Sequence, residues 1–231
     1  MSDDMPAWWR KPRRIAVVVD NPSWVLPWAE RLVAEANAAG DQALLLRDSA
    51  KVEDGSAVAF YLGCVKITPP RMLARAKRNL VVHASDLPRG RGFSPLTWQI
   101  IEGVNRIPVC LLDAADAVDA GPVVYRDWID YRGDELIGEL RGQMGQMHVT
   151  LPTRFLAAAT PPVGVVQQGE PSVYPRRRPA DSQLDPEKPL ATQFDLLRTV
   201  DNDRYPAWFE LRGHRYALKI EKMPGSGGGK P

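Results

Sequence analysis

The fold of this chain is decided by the sequence NLVVHASDLPRGRG at residues 79–92, followed by FSPLTWQIIEG at residues 93–103 and VDAG at residues 118–121. The pattern predicts an apolar strand that carries His83 into a loop rich in Gly and Pro, then a helix, and then a second apolar run that leads to Asp119. Ligands of α/β sheets bind beyond the carboxyl ends of the strands. The stretch therefore indicates a site at that edge of a sheet.

Strand and helix signals alternate along the N-terminal half. Apolar runs typical of buried strands lie at residues 14–20, 42–47, 56–62 and 80–84. Between them the sequence predicts a helix from Trp24 to about Ala39, with Ser23 as its N-cap, and a basic helix from residues 68–70 through Arg78. This order predicts an α/β fold with an open, mainly parallel, Rossmann-like sheet.

Composition limits the classes of function. The chain has 231 residues, of which 44% are hydrophobic and 25% are charged, as in ordinary globular proteins. Its 30 Lys and Arg residues nearly balance 28 Asp and Glu residues, so we expect neither nucleic acid nor a membrane as a partner. Residues 20–24, at the first crossover, lack the G-x-G-x-x-G and Walker patterns, which argues against a dinucleotide-binding loop.

Cysteines and targeting signals favour a cytoplasmic protein. Cys64 and Cys110 lie in apolar runs, where buried thiols are expected rather than a disulfide framework. No apolar run approaches the roughly 20 residues of a membrane span, and residues 1–14 lack the apolar segment of a signal peptide. We therefore expect a soluble, cytoplasmic protein.

Histidine spacing predicts no metal site. His148 is expected at the end of a helix that starts at Asp134, and His214 is expected in a turn near the C-terminus. Neither histidine has other metal-ligating residues at a suitable spacing.

The composition changes to Pro, Gly and Gln beyond residue 160. We expect an N-terminal arm at 1–13, a main domain at 14–160, an extension at 161–222 and a flexible, Gly-rich tail at 223–231. Residues 207–220 predict a β-hairpin with its turn at Gly213. Because a lone hairpin is only marginally stable, it should pack on the main domain or pair with a second copy, which makes a homodimer possible.

The segments at residues 62–69, 80–88, 92–103 and 119–121, taken in this order, resemble the catalytic domain of formyltransferases that use 10-formyltetrahydrofolate. The most specific parts are the His-x-Ser-x-Leu-Pro pattern that starts at His83 and the Asp-x-Gly pattern that starts at Asp119. The resemblance covers about residues 15–129. It implies the formyltransferase fold, an enzyme, and 10-formyltetrahydrofolate as the co-substrate.

The resemblance also implies roles for individual residues. His83 would move a proton or hydrogen-bond the developing oxyanion, and Asp119 would orient that imidazole. Leu87, Val118 and Gly121 would contact the folate. For either residue alone a structural role is favoured, His83 as a histidine at a strand end and Asp119 as a turn residue, whereas the pair in this order favours the catalytic role.

Four residues are candidates for binding the acceptor substrate. Asn21 and Trp24 follow the carboxyl end of the first strand. Arg89 and Arg91 lie in a Gly-rich loop that could approach an anionic group, although solvated charge explains them equally well.

Val81 departs from the family pattern, which places an asparagine two residues before the histidine to hold the formyl oxygen. Asn79 lies roughly 13 Å of strand away from His83 and cannot simply replace that amide. Ser85 is a possible replacement, although a hydroxyl that stabilises the loop is favoured. Loss of one oxyanion donor typically slows an enzyme about 100-fold.

Residues 174–182, 193–198 and 205–207 resemble the short tail of sugar N-formyltransferases. The sequence therefore predicts formyl transfer to the primary amine of an amino sugar, with a nucleotide-linked sugar favoured. One alternative is another amine such as methionyl-tRNA, which would call for a longer and more basic extension. A second alternative, suggested by Val81, is a folate- or sugar-binding homologue with weakened turnover.

Overall fold

A six-stranded sheet forms the centre of the protein, for which a computed structural model describes residues 5–224. In chain order the first seven strands are β1 (Arg14–Val18), β2 (Gln42–Leu46), β3 (Ser56–Tyr61), β4 (Ala76–His83), β5 (Arg91–Gly92), β6 (Arg106–Asp113) and β7 (Val123–Asp130). Six of these seven, all but β5, belong to the central sheet, in the order β2-β1-β3-β4-β6-β7. The first four strands are parallel, and β6 and β7 are antiparallel to their neighbours. The predicted mainly parallel α/β sheet is confirmed, whereas residues 225–231 of the Gly-rich tail predicted at 223–231 lie outside the described residues.

Helices cover the sheet. The α-helices of the described part are α1 (Leu26–Ala38), α2 (Pro70–Leu73), α3 (Pro95–Ile101), α4 (Ile137–Leu156) and α5 (Phe194–Leu197). The long helices α1 and α4 bury their apolar faces together with β1 and β3 in the main core. They approach closely at Gly145, where a Cβ would lie 2.1 Å from Nε1 of Trp28. No helix within residues 5–224 is long and apolar enough to cross a membrane.

The start of α1 differs from the prediction. The helix begins at Leu26, with Val25 as its N-cap, rather than at Trp24 with Ser23 as the cap. The Ser23 hydroxyl accepts a hydrogen bond from the Val25 N–H at 3.3 Å, so it stabilises the turn before the helix. Trp24 therefore lies in that turn and not in the helix.

The prediction of a basic helix that continues through Arg78 is wrong. The helix α2 is a single turn that ends at Leu73, and Arg78 lies in β4 beside Val58 of β3. Its guanidinium donates to both carboxylate oxygens of Asp113 on β6, at 2.8 and 3.0 Å. Pairing with β3 and the bond from Arg78 to Asp113 therefore extend β4 toward its N-terminus by four residues beyond the predicted start at Leu80.

His148 lies in the middle of α4 rather than at its end. The helix continues through Pro152 to Leu156 because the side chains of Leu151, Pro152 and Phe155 are buried against the core. Burial of this apolar face stabilises the last turns despite the proline.

The C-terminal extension packs back on the main sheet. Its strands are β8 (Val173–Tyr174), which pairs with β5, and β9 (Ala207–Leu211) and β10 (His214–Leu218), which form the predicted hairpin. His214 is the first residue of β10 and not part of the turn. The hairpin packs on a small apolar cluster within the extension itself. Arg198 is fully buried and donates to Asp195 at 2.7 Å and to the Asn105 side chain, which fixes the extension to the loop after α3.

Candidate active site

His83 is the last residue of β4 and is 6% exposed. Its Nε2 lies 2.8 Å from the carbonyl oxygen of Gly90, and its Nδ1 lies 3.5 Å from Oδ2 of Asp119. A carbonyl oxygen can only accept a hydrogen bond, so Nε2 carries the hydrogen. The basic lone pair of the neutral ring is therefore on Nδ1, on the side of the carboxylate.

The loop that holds the His83 ring requires glycine. Gly90 has a φ of +72°, and a Cβ there would lie 2.9 Å from Cβ of Ser85 and 3.0 Å from the ring of Tyr174. The tight packing keeps the Gly90 carbonyl on the imidazole and thereby fixes the tautomer.

Asp119 is held by both its side chain and its backbone. Oδ2 accepts a hydrogen bond from the Gly92 N–H at 2.9 Å, and the residue adopts a left-handed φ of +52°. The side chain of Gln167, from the extension, donates to the carbonyl oxygens of Asp119 and Gly121 at 2.7 and 2.8 Å. Gly121 is required because a Cβ would lie 1.8 Å from the carbonyl oxygen of Asp113. The Asp-x-Gly pattern thus places the carboxylate beside His83.

A cavity of about 560 Å³ opens beside this pair. One group of lining side chains is largely apolar and comes from the sheet and the segments next to it: Tyr61, Cys64, Leu73, Val81 and Leu112. A second group surrounds Trp24 and includes His148, Arg141 and Asp201. A third group comes from the extension and is cationic or polar: Arg176, Arg177, Arg178, Arg204 and Tyr205. The volume is within the usual range for a small-molecule site.

Asn21 and Trp24 line the cavity, as their position after β1 predicted. The Asn21 amide donates to Oδ1 of Asp20 at 2.8 Å and to the carbonyl oxygen of Gly63 at 2.9 Å. Asp20 in turn accepts hydrogen bonds from the backbone N–H groups of Val65 and Lys66, both at 2.9 Å. Burial raises the pKa of Asp20, but the hydrogen bonds from Asn21, Val65 and Lys66 outweigh it and leave that pKa lowered. This network fixes the loop that forms one rim of the cavity.

Arg89 and Arg91 do not line the cavity. The Arg89 guanidinium donates to Asp86 at 3.0 Å, and the Arg91 guanidinium donates to Oε1 of Gln167 at 2.7 Å. The first side chain is solvated, and the second supports the residue that holds Asp119.

The three residues predicted to contact folate differ in position. Val118 is 41% exposed and lines the cavity. Leu87 is buried, and its carbonyl oxygen accepts a hydrogen bond from Arg126 at 3.0 Å. Leu87 and Gly121 shape the backbone around the cavity without lining it.

Val81 lines the cavity and packs against apolar neighbours on both sides. The Asn79 amide donates to the carbonyl oxygen of Leu73 at 2.8 Å, and its oxygen accepts a hydrogen bond from Tyr61 at 3.2 Å. Ser85 is 1% exposed, and its buried hydroxyl has no hydrogen-bond partner among the described residues. Neither Asn79 nor Ser85 therefore presents a donor to the cavity in place of the family amide.

The extension supplies cations that the sequence did not connect to the site. Arg176 donates to the carbonyl oxygen of Val65 at 3.0 Å, and its guanidinium lies 4.3 Å from the ring centre of Phe93. Within residues 5–224, no carboxylate forms an ion pair with the side chains of Arg176, Arg178 or Arg204. The basic triplet at 176–178 was the signal in the sequence that could have indicated these cations. Its place at the cavity could not be predicted from the sequence, because the residues that it contacts in the main domain lie about a hundred positions earlier.

Among the described residues, no group of three or more His, Cys, Asp or Glu side chains could hold a metal ion.

Comparison with known proteins gives one group of relatives. No protein-family model matches the chain. A methionyl-tRNA formyltransferase from Ruegeria pomeroyi is 27% identical over 172 residues, which are 73% of this chain. The matched region is 56% of that relative, so the chain spans about half of its length.

Solved structures share the fold. A methionyl-tRNA formyltransferase from Clostridium thermocellum has a TM-score of 0.78 and 20% identity, with 93% of this chain and 95% of the other covered. A sugar N-formyltransferase from Shewanella has a TM-score of 0.67 and 14% identity, with 91% and 98% covered. HypX from Aquifex aeolicus in complex with tetrahydrofolic acid has a TM-score of 0.71 and 16% identity, with 91% and 38% covered. The predicted resemblance is thereby confirmed, and this chain has the fold of the formyltransferases.

Proposed function

We propose that the protein is an N-formyltransferase that moves a formyl group from 10-formyltetrahydrofolate to the primary amine of an amino sugar. The observation that carries the proposal is the pairing of His83 and Asp119 beside a cavity of small-molecule size. Both residues are buried, so their side chains hold fixed positions at the edge of the sheet.

The reaction needs one proton to be moved. The transfer forms a bond between the acceptor nitrogen and the formyl carbon, breaks the bond from that carbon to the folate nitrogen, and moves a proton from the first nitrogen to the second. Nδ1 of His83 takes this proton, because Nε2 already donates to the Gly90 carbonyl. Asp119, whose Oδ2 is 3.5 Å from Nδ1, stabilises the protonated ring and keeps it in place.

The apolar lining from the sheet suits the folate. Tyr61, Val81 and Leu112 offer apolar side chains, and the backbone of the loop at residues 115–118 lies next to them. Recognition of this kind depends on shape and backbone groups, so it tolerates side-chain differences between relatives.

The cationic lining suits a phosphate-bearing acceptor. Arg176, Arg178 and Arg204 reach the cavity from the extension, and none of them has a carboxylate partner within residues 5–224. Guanidinium groups bind phosphate oxygens in a bidentate manner, which favours a nucleotide-linked amino sugar over a free one. The sugar N-formyltransferase from Shewanella among the similar structures is consistent with this choice.

Methionyl-tRNA is the second candidate acceptor. Its support is the sequence similarity to a methionyl-tRNA formyltransferase. The net charge of +2 does not indicate the broad basic surface that a transfer RNA would need.

The test is formyl transfer from 10-formyltetrahydrofolate to a panel of free amino sugars, nucleotide-linked amino sugars and methionyl-tRNA, followed by mass spectrometry. We expect transfer to a nucleotide-linked amino sugar, and a loss of about 100-fold or more in kcat for His83→Ala. His214→Ala is the matched control, because that histidine is exposed on the hairpin. Folate binding without transfer to any acceptor would support the binding-protein alternative, and full activity in His83→Ala would contradict the site.

A further inference from the structure

His148 lines the same cavity as His83 but comes from the opposite layer, the helix α4. Its Nδ1 lies 2.9 Å from the carbonyl oxygen of Met144, one helical turn earlier. Because that oxygen can only accept, the hydrogen of the neutral ring is on Nδ1. Nε2 therefore carries a lone pair and acts only as an acceptor.

Nε2 of His148 is partly exposed but has no hydrogen-bond partner among the described residues. Within residues 5–224 no donor reaches this atom, although the residue is only 3% exposed. The atom nevertheless keeps some exposed surface. In this range the fully buried side-chain N and O atoms that lack a hydrogen-bond partner are the Ser85 hydroxyl and Nη1 of Arg198, and Nε2 of His148 is not one of them. Because His148 borders the cavity, the remaining opening of Nε2 is toward the cavity.

The imidazole ring of His148 is held in place by Trp24. Trp24 packs against it with ring centres 5.7 Å apart and an angle of 85°. The guanidinium of Arg141 lies 6.0 Å from the Trp24 ring and is paired with Asp201 at 2.7 Å. These contacts hold the imidazole in one orientation, as recognition of a specific group requires.

The ring is neutral over the range in which such an enzyme would work. Burial lowers the pKa of His148 to about 4, although the hydrogen bond to Met144 acts in the opposite direction. The carboxylate of Asp201 is already paired with Arg141 at 2.7 Å.

A histidine that served only the core would bury Nε2 against apolar atoms or pair it with a donor. Here the acceptor faces the space in which an amino sugar would bind. A buried acceptor left unpaired is costly, so the site discriminates against substrates that cannot supply a hydrogen.

We propose that Nε2 of His148 accepts a hydrogen bond from a hydroxyl group of the acceptor sugar and so helps to select the acceptor. This inference rests on the proposed function of the cavity. It assigns to α4 a role in specificity, while the chemistry stays with His83.

The test combines variants with substrate analogues. The kcat/KM of formyl transfer is measured for the wild type and His148→Phe, with the best amino sugar and a series in which each hydroxyl is replaced in turn by hydrogen. We expect one deoxy analogue to lose about tenfold in the wild type, mainly through KM. With the parent sugar, the kcat/KM of His148→Phe should be about tenfold below that of the wild type. His148→Phe should then have the same kcat/KM for the deoxy analogue as for the parent sugar.

His148→Gln is the conservative variant, because its amide oxygen can accept the same hydrogen bond and should restore part of the discrimination. The ¹⁵N resonance of Nε2 in the wild type should shift when the parent sugar binds and not when that deoxy analogue binds. Equal kcat/KM values for every analogue in the wild type would overturn the assignment, whether or not His148→Phe folds. Absence of transfer by the wild type to any acceptor would instead overturn the proposed function, and the assignment with it.

Discussion

Val81 is the residue at which the candidate site departs most from the formyltransferase pattern. It borders the cavity two residues before His83 on the same face of β4, and its neighbours are apolar. The amide of Asn79 is already bound to Leu73, and the Ser85 hydroxyl is sealed from the cavity. A side-chain donor for the formyl oxygen is therefore not supplied by these two neighbours.

We expect Val81→Asn to raise kcat for formyl transfer by about 10- to 100-fold, because it adds a hydrogen-bond donor where negative charge develops. Val81→Leu is the matched control, since it changes the size of the side chain without adding a donor. Steady-state kinetics with saturating folate measure the effect. An unchanged kcat in Val81→Asn would mean that a backbone N–H already binds the oxygen.

His148 should make stability depend on pH. The unfolded chain binds a proton at the ordinary histidine pKa of 6.5, whereas the folded protein does so only near 4. The stabilisation from the neutral ring is thus complete above pH 6.5 and is lost as the pH falls toward 4, by about 3 kcal/mol. Urea unfolding of the wild type and His148→Phe between pH 7 and pH 4 measures this, and the variant should show the smaller decrease. Parallel curves would contradict the burial of a neutral ring.

The sequence predicts the pair His83 and Asp119 because both residues belong to short local patterns. It does not predict that Arg89 and Arg91 are turned to Asp86 and Gln167, since the direction of a surface arginine depends on partners elsewhere in the chain. The role of His148 was missed for the same reason. A single histidine in a helix has no periodic signal that separates a core position from a cavity position.

Among the elements, α4 depends most on close packing. Gly145 faces α1, and a Cβ there would meet the Trp28 ring at 2.1 Å. Gly142, one turn earlier in the same helix, has open space around it, with no neighbour within 4 Å of the position that a Cβ would take. Alanine substitutions at the two glycines therefore distinguish the effect of helix propensity on stability from the effect of packing.

We expect Gly145→Ala to lower the free energy of unfolding by about 1–3 kcal/mol, because overpacking outweighs the higher helix propensity of alanine. Gly142→Ala should raise that free energy by up to about 1 kcal/mol, since only the propensity changes. Urea denaturation of both variants measures the difference. Stabilisation by Gly145→Ala would show that α1 moves to accept the methyl group.

Element boundaries were predicted less well than element order. The strand and helix order through β4 follows from apolar runs and turn residues. The end of α2 and the start of β4 do not, because pairing with β3 and the bond from Arg78 to Asp113 decide them. The last turns of α4 likewise depend on buried contacts that compensate for Pro152.

In the whole molecule, the extension completes the cavity. The segment at residues 199–205 supplies part of its wall and is held by the ion pair of Asp201 with Arg141 at 2.7 Å. Oδ1 of Asp201 also accepts hydrogen bonds from the N–H groups of Asp203 and Arg204. The position of the Arg204 side chain therefore depends on this carboxylate.

We expect Asp201→Asn to raise the KM for the acceptor by about tenfold, because the charge-assisted bond to Arg141 is lost and the wall loosens. The KM for folate should not change. Asp203→Asn is the control, since that carboxylate is exposed and pairs with Lys219 beyond the hairpin. Equal effects of both variants on the acceptor KM would contradict the role of the wall.

A homodimer through the hairpin, a cytoplasmic location and the four predicted segments of the chain stay predictions. The hairpin has partners within the chain, since Phe209 and Leu218 pack on the apolar cluster of the extension. Analytical ultracentrifugation would decide the oligomeric state.

Gln167 has a consequence for engineering. Its side chain holds the carbonyl oxygens of Asp119 and Gly121, yet it lies seven residues beyond the predicted domain boundary at 160. An extension exchanged between relatives at that boundary would remove the clamp on the proposed catalytic carboxylate together with the substrate wall. A chimera joined after Tyr174 instead would keep both Gln167 and the strand β8 that packs on Gly90, so it would alter acceptor choice while keeping the proton-transfer geometry intact.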